Sequence, residues 1–244
     1  MDEILLRKIF SAHSKTPLET LYLESGNIPI RFILISRRLN FLHYILNEEN
    51  DSLLRSFFTA QRESPVKGDW VTMVTEDMKE LGIDLTMEEI AGTSKMRFKE
   101  IIKNKVETKA LQYLTKLKES HSKAKNIKHD KIQLQPYLRS ETKNLTINEK
   151  KFIFAARTRM LDVKGNFKTG MLDRKCRKCE ATDETQQHLL DCPALSDSSL
   201  VRGTPSYDDL FGAKPSIIGK ILQSKFKLLM TPCAPPSAAT TVVL

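Results

Sequence analysis

The sequence predicts a mostly α-helical protein: a bundle-like helical body carrying a small Cys-Cys-His-Cys zinc-binding segment. Three observations predict it. Apolar residues recur at helical spacing in several windows, capping residues and glycine stops flank those windows, and three of the four cysteines crowd with a histidine into residues 176–192. With 244 residues and 40% hydrophobic content, the chain has material for one large core or two small ones.

Residues 3–14 open the chain with a short apolar-rich stretch. The start MDEILLRKIF carries acids where a secretory leader needs a base, which argues against a signal peptide. Gly26 and Pro29 punctuate the entry to IPIRFILISRRLNFLHYIL, residues 28–46, the most apolar run. Ile30, Ile33, Leu34, Phe41, Leu42 and Ile45 recur there at helical spacing and predict its buried face. Arg31, Arg37 and Arg38 interrupt the run, so it reads as a buried amphipathic helix and not a membrane span.

LLRSFFTAQ, residues 53–61, predicts the next helix. Asp69 is placed to cap WVTMVTEDMKEL, with Trp70, Met73, Val74, Met78 and Leu81 on one face and Gly82 at the end. TMEE, residues 86–89, has the pattern of a capping box, as has TINE, residues 146–149. The second box opens KKFIFAARTRMLDV, with Gly165 as the expected stop. After the cysteine cluster, SDSSLVRGTPS reads as a linker, and Ser206, Asp208 and Asp209 read as helix-start chemistry. PSIIGKILQSKFKLLM then carries Ile217, Ile218, Ile221, Leu222 and Leu229 at helical spacing. The expected organisation is a helical region with a long basic helix (1–135), a helix plus zinc segment and terminal helix (136–231), and a disordered Pro-, Ala- and Thr-rich tail (232–244).

The net charge of +9 is unevenly spread. Residues 95–131 hold twelve lysines and arginines against four acids, a local +8. Ile102, Val106, Ala110, Leu114 and Leu117 form an apolar stripe through this stretch. It therefore predicts one long amphipathic helix with lysines on its other faces, giving way to the loop SHSKAKNIKHDK. A focused basic field favours a polyanion, and nucleic acid is the commonest one. Lys103, Lys105 and Lys109 are the expected contacts. A solvated helix face would account for the same lysines.

In CRKCEATDETQQHLLDC, Cys176 and Cys179 have the spacing of a turn that aims two sulfurs at one ion. His188 and Cys192 lie one helical turn apart, with Thr182 or Asp183 as the cap of their helix. Three thiolates and an imidazole suit a structural zinc with no open position for catalysis. Arg174, Lys175, Arg177 and Lys178 would offset the charge of the thiolates. The plain alternative is reduced cysteines beside a surface histidine. Clustered, unpaired cysteines also point to a reducing compartment, nucleus or cytoplasm.

With its flanks, this region resembles the C-terminal part of non-LTR (LINE-type) retrotransposon reverse transcriptases. The residues that carry the resemblance are AARTRMLDVKGNF, CRKC, EATDET and HLLDCPAL. They match an R-x-R helix, a C-x2-C, an acidic and threonine-containing stretch, and H-L-L-x-C-P. Upstream, ESGNIPIRFILISRRLNFLHYIL resembles the segment that follows the polymerase thumb. The spacing from His188 to Cys192 is one residue shorter than in many members. The likeness covers roughly residues 15–230.

The resemblance implies a module that holds template RNA or target DNA, single-stranded or duplex, near the polymerase portion of a parent element. Arg157, Arg159, Lys164 and Lys168 before the motif, and Arg174, Lys175, Arg177 and Lys178 around it, would then contact phosphates. The polymerase's paired aspartates are not matched, because SYDDLFG lacks the residue that Y-x-D-D requires between Tyr207 and Asp208. No endonuclease signature and no acid, base and nucleophile set stands out, so the expectation is a non-enzyme. The rival reading is a helical interaction or scaffold protein whose zinc is purely structural. Of the other histidines, His13 and His43 read as core-edge or surface residues on helices. His121 and His129 read as loop residues that aid solubility or meet phosphate.

Overall fold

The computed structural model describes residues 3–124, 126–127, 129–139, 144–166, 173–195, 206–212 and 215–231. The expected disordered tail with Cys233, together with Lys168, Lys125, Lys128 and most of the linker, lies outside them. The described residues form ten α-helices joined by short 3₁₀ turns, and no extended strand. None of these helices is long and apolar enough to cross a membrane. The chain divides into two units, one made of Met1–Ile9, Pro17–Lys125 and His129–Gln135, the other of Phe10–Thr16, Asn126–Lys128 and Pro136–Leu244.

The first unit is built on α1 (Glu3–Phe10), α2 (Leu18–Ser25), α3 (Ile30–Leu46), α4 (Leu53–Glu63), α5 (Trp70–Leu81), α6 (Met87–Gly92) and α7 (Lys95–Glu119). Local chemistry sets most of their ends. Asp69 accepts from the Thr72 amide at 2.6 Å, and Gly82 closes α5 at φ 63°. The Thr86 and Glu89 side chains form the reciprocal capping box of α6. Gly26 closes α2 at φ 69°, where any Cβ would stand 2.1 Å from the Leu134 amide nitrogen.

One apolar core joins α3 to α7. Phe32, Ile35, Leu39, Leu42, Ile45 and Leu46 of α3 meet Val71, Val74, Met78 and Leu81 of α5 and Phe98, Ile102, Val106 and Ala110 of α7. Each such side chain contributes roughly 1.5–3 kcal/mol on burial. The face predicted for α3 is only partly the buried one. Leu42 and Ile45 are buried, but Ile30, Leu34 and Phe41 are exposed. The stripe through Ile30, Leu34 and Phe41 contains Arg37, whereas Phe32, Ile35, Leu39, Leu42 and Leu46 run without a charge. On α7 the predicted stripe is buried through Leu114, and Leu117 is exposed.

Polar ties fix the helices of this unit to one another. Arg38 grips Asp77 through two hydrogen bonds of 2.6 and 2.8 Å. Lys105 donates to the Gly82 carbonyl at 2.7 Å, so its ammonium caps the end of α5. His43 is buried in α3 and bonds the Thr93 carbonyl at 2.8 Å. His13 lies in the turn after α1 and not on a helix. His121 and His129 each approach a buried acid of α2: His121, itself exposed, has Nδ1 2.6 Å from Glu19, and His129, its side chain covered, has Nε2 3.6 Å from Glu24.

The second unit contains α8 (Ile147–Arg157), α9 (Gln186–Asp191) and α10 (Pro215–Met230). Thr146 and Glu149 cap α8 with the predicted box. Helix α10 packs on α8 and α9. It approaches α8 so closely at Gly219 that a Cβ there would meet Ile153 Cγ1 at 2.3 Å. Ser206 caps a single 3₁₀ turn, Tyr207–Leu210, instead of a longer helix. Helix α8 ends at Arg157, well before Gly165, because the chain reverses at Arg159 with φ 53°. Gly165 has a different role. Its amide bonds the Glu184 carbonyl at 2.8 Å, and a Cβ would stand 2.8 Å from that oxygen.

Candidate metal centre

Residues 173–185 form a tight turn-and-return. Lys175 pairs with Asp183 across it, and the Cys176 amide bonds the Thr182 carbonyl at 2.8 Å. Between them Glu180 takes φ 55°, which lets its amide return to the Cys176 carbonyl at 3.0 Å. This curl brings the Sγ atoms of Cys176 and Cys179 to one side. The return strand leads into α9, which is capped by Thr185 accepting from the His188 amide at 3.0 Å, and not by Thr182 or Asp183. His188 lies in α9, and Cys192 is the residue that ends it.

The four side chains converge. One ligand atom from each of Cys176, Cys179, His188 and Cys192 lies within 4.8 Å of every other. Cys176 and Cys192 Sγ are 3.9 Å apart, and Cys179 Sγ is 3.3 Å from His188 Nε2. A tetrahedral zinc with bonds of about 2.3 Å to sulfur and about 2.05 Å to nitrogen would place its ligands about 3.8 Å (S–S) and about 3.5 Å (S–N) apart. These two separations lie near those edges, and 3.9 Å is far too long for a disulfide. Thr182 Oγ1 lies beside the His188 ring, 2.9 Å from Nδ1 and 3.3 Å from Nε2. These four residues could therefore hold a metal ion.

The thiols lie in unequal environments. The amide of Ala181 first, then that of Thr182, lowers Cys179 to about 6. Burial pushes Cys192 up to about 11. A divalent cation at their centre would remove the penalty on charging Cys192, since a coordinated thiol is deprotonated.

A carboxylate not singled out by spacing supports the whole turn. Glu184 is fully buried and takes hydrogen bonds from Arg177 Nε and Nη2 at 2.8 and 2.6 Å. The backbone amides of Arg177 and Lys164 add bonds of 3.0 and 2.9 Å. Burial alone would raise the Glu184 carboxyl, but these donors outweigh it and hold it below the usual range. The signal in the sequence is an acid four residues before His188, which becomes informative only once Arg177 is seen beside it.

Most of the cations expected at phosphates are committed within their own unit. Arg157 is buried, with Nη1 2.5 Å from the Leu210 carbonyl and its guanidinium over the rings of Tyr137 and Phe211 at 5.5 and 5.3 Å. It is not on an exposed helix face, because the turn at Tyr207–Leu210 covers it. Arg159 is half-buried and shares a hydrogen bond with Tyr207, whose hydroxyl burial pushes up to about 12. Lys164 binds Asp173 at 2.7 Å and the Lys175 carbonyl at 2.8 Å. Lys175 bonds the Ala181 carbonyl, and Lys178 bonds the Thr231 carbonyl at the end of α10. Arg174 lies 3.8 Å from Asp183. On α7, by contrast, Lys103 is exposed, Lys109 is half-buried, and neither ammonium meets a described partner.

No protein family, curated protein or solved structure matches the chain. The site's own geometry therefore bears the functional argument.

Proposed function

We propose that this is a zinc-stabilised nucleic-acid-binding module, akin to the C-terminal region of a non-LTR retrotransposon reverse transcriptase and without catalysis of its own. Zinc is the ion that three thiolates and one imidazole at tetrahedral spacing favour. With four protein ligands it would have no open position, so its contribution is to folding. Cys176, Cys179, His188 and Cys192 would hold it.

The observation that carries the nucleic-acid reading is one flank of α7, where Lys95, Lys99 and Lys103 follow one another at four-residue spacing, exposed and without a described partner, while the half-buried Lys109 lies on the other flank beside Arg31 and Lys116. Such a row meets a phosphate backbone by charge and not by sequence. RNA or DNA, single-stranded or target duplex, would be the partner, and the polymerase portion of a parent element a second one. A helical scaffold with a purely structural zinc is the competing reading. It is favoured by one observation, that the cations nearest the cysteines are committed to carbonyls and carboxylates.

The test is binding of labelled single-stranded RNA and DNA at low salt, followed through a salt series. The expected result is a steep loss of affinity with salt. Lys103→Glu with Lys109→Glu should weaken binding about tenfold or more for all sequences and flatten the salt slope. Lys105 is left out of this pair because its ammonium caps α5. Absence of binding at low salt would favour the scaffold.

A further inference from the structure

A cavity of about 780 Å³ opens in the first unit where α3 passes α6 and the start of α7. Its volume falls in the roughly 300–1,000 Å³ range of small-ligand sites. One wall is aromatic. Phe41 and Tyr44 lie nearly parallel, their ring centroids 6.0 Å apart and their planes inclined by 14°. Both are large exposed side chains, at 44% and 52%. The edge of Trp70 meets Phe41 at 5.6 Å and fixes its ring, and Glu48 hydrogen-bonds the Tyr44 hydroxyl.

The opposite wall carries Lys95 and Lys99, both exposed and without a described partner. Among the described lining residues there is no carboxylate. Asn40 and His43 complete the floor, each already anchored, to the Ser36 and Thr93 carbonyls. Lys99 continues along α7 to Lys103, one turn on, so the cavity lies at the end of the lysine row.

We infer that this cavity seats one unpaired nucleotide of a single strand, its base against Phe41 and Tyr44 and its phosphate at Lys95 and Lys99. An exposed aromatic pair facing two lysines joins the two contacts that single-stranded nucleic acid offers at once, a π-face and a phosphate. A base pair inside a duplex exposes no such face, so the site selects unpaired strands. The inference rests on the nucleic-acid reading and adds to it a location and a strand state.

Trp70 is the chain's only tryptophan and touches Phe41, so its emission reports on the cavity. The zinc-loaded full chain is titrated with twelve-nucleotide oligo-U and oligo-dT, with an abasic strand of equal length, and with uridine monophosphate. The base-bearing strands should change Trp70 emission, and the abasic strand should not. Tyr44→Ala, at an exposed position, should keep the wild-type melting curve, weaken base-bearing strands about tenfold and leave the abasic strand unaffected. Lys99→Gln should weaken both. Uridine monophosphate binding as tightly as the strands would overturn the strand assignment in favour of a free nucleotide. Strands that bind, respond to the Lys103 and Lys109 reversals, but ignore Tyr44→Ala would overturn the cavity alone. Failure of every strand to bind would overturn both readings.

Discussion

On α7 the exposed Lys95, Lys99 and Lys103 and the half-buried Lys109 meet no described partner, while around the cysteines Lys164, Lys175, Arg177 and Lys178 each reach a carbonyl or carboxylate of their own unit. Both regions are rich in lysine and arginine, but residues 95–131 carry a net +8 while residues 173–185 set four bases against four acids. The difference lies in what holds each one together. Helix α7 is anchored by five buried apolar side chains, Phe98, Ile102, Val106, Ala110 and Leu114, so Lys95, Lys99 and Lys103 are not needed for folding, whereas Lys105 is used to cap α5. The turn at 173–185 buries little beyond Cys176 and Glu184, so its cations are used to tie its backbone. Positive charge near a metal site is thus a poor guide to a phosphate surface unless the local core is adequate without it.

The comparison can be broken most forcefully at the metal centre. Cys176→Ser should reduce zinc from one ion per chain to background by elemental analysis, and expose 173–195 to protease. Structural zinc contributes on the order of 10–16 kcal/mol of apparent folding energy in small zinc domains. Cys233→Ser, outside the cluster, should keep full metal. Equal zinc in both variants would remove the centre.

A second cut falls at Arg157. Replacing it with alanine leaves the Leu210 carbonyl without this donor and a gap between Tyr137 and Phe211. The expected cost is about 3 kcal/mol, a fall in Tm of roughly 5–10 °C. Affinity for oligonucleotides, measured well below that Tm, should be unchanged. Weakened binding with an unchanged melting curve would return Arg157 to the interface.

The smallest effect sharpens the comparison by control. Thr146→Ala removes the α8 cap, at a cost of about 1 kcal/mol in urea unfolding at neutral pH. The Thr146 amide holds the Glu149 carboxyl below its ordinary value of 4.5. The stability from that contact is fully present above the unfolded value and is lost as pH falls through the lower folded one. Alanine keeps the amide but loses the second contact, from the Thr146 hydroxyl to the same carboxylate at 2.8 Å, so the difference between Thr146→Ala and the parent should shrink in acid by that hydroxyl's share.

Legibility followed the distance over which the chemistry acts. Asp69, Thr86, Thr146 and Gly82 were readable because a cap depends on three or four adjacent residues. The convergence of Cys176, Cys179, His188 and Cys192 was readable because all four fall in one short segment. The face of α3 was not, since apolar residues lie on several sides of it and only packing against α5 and α7 selects among them. Nor was the end of α8, which is set by a left-handed residue at Arg159 and by a carbonyl 53 positions away in sequence. The commitment of the basic residues escaped for that reason too, because a lysine's partner is a property of the fold.

All four candidate ligands lie within Cys176–Cys192. Closing so short a ring costs little chain entropy compared with joining distant segments. Coordination would thus involve a stretch already local in the nascent chain, available before α10 emerges to receive Lys178 at Thr231 and to supply Lys225 to the Leu190 carbonyl. The ion would act as an early template on which the last helix docks, and its loss would be felt in the order of assembly as much as in the final stability.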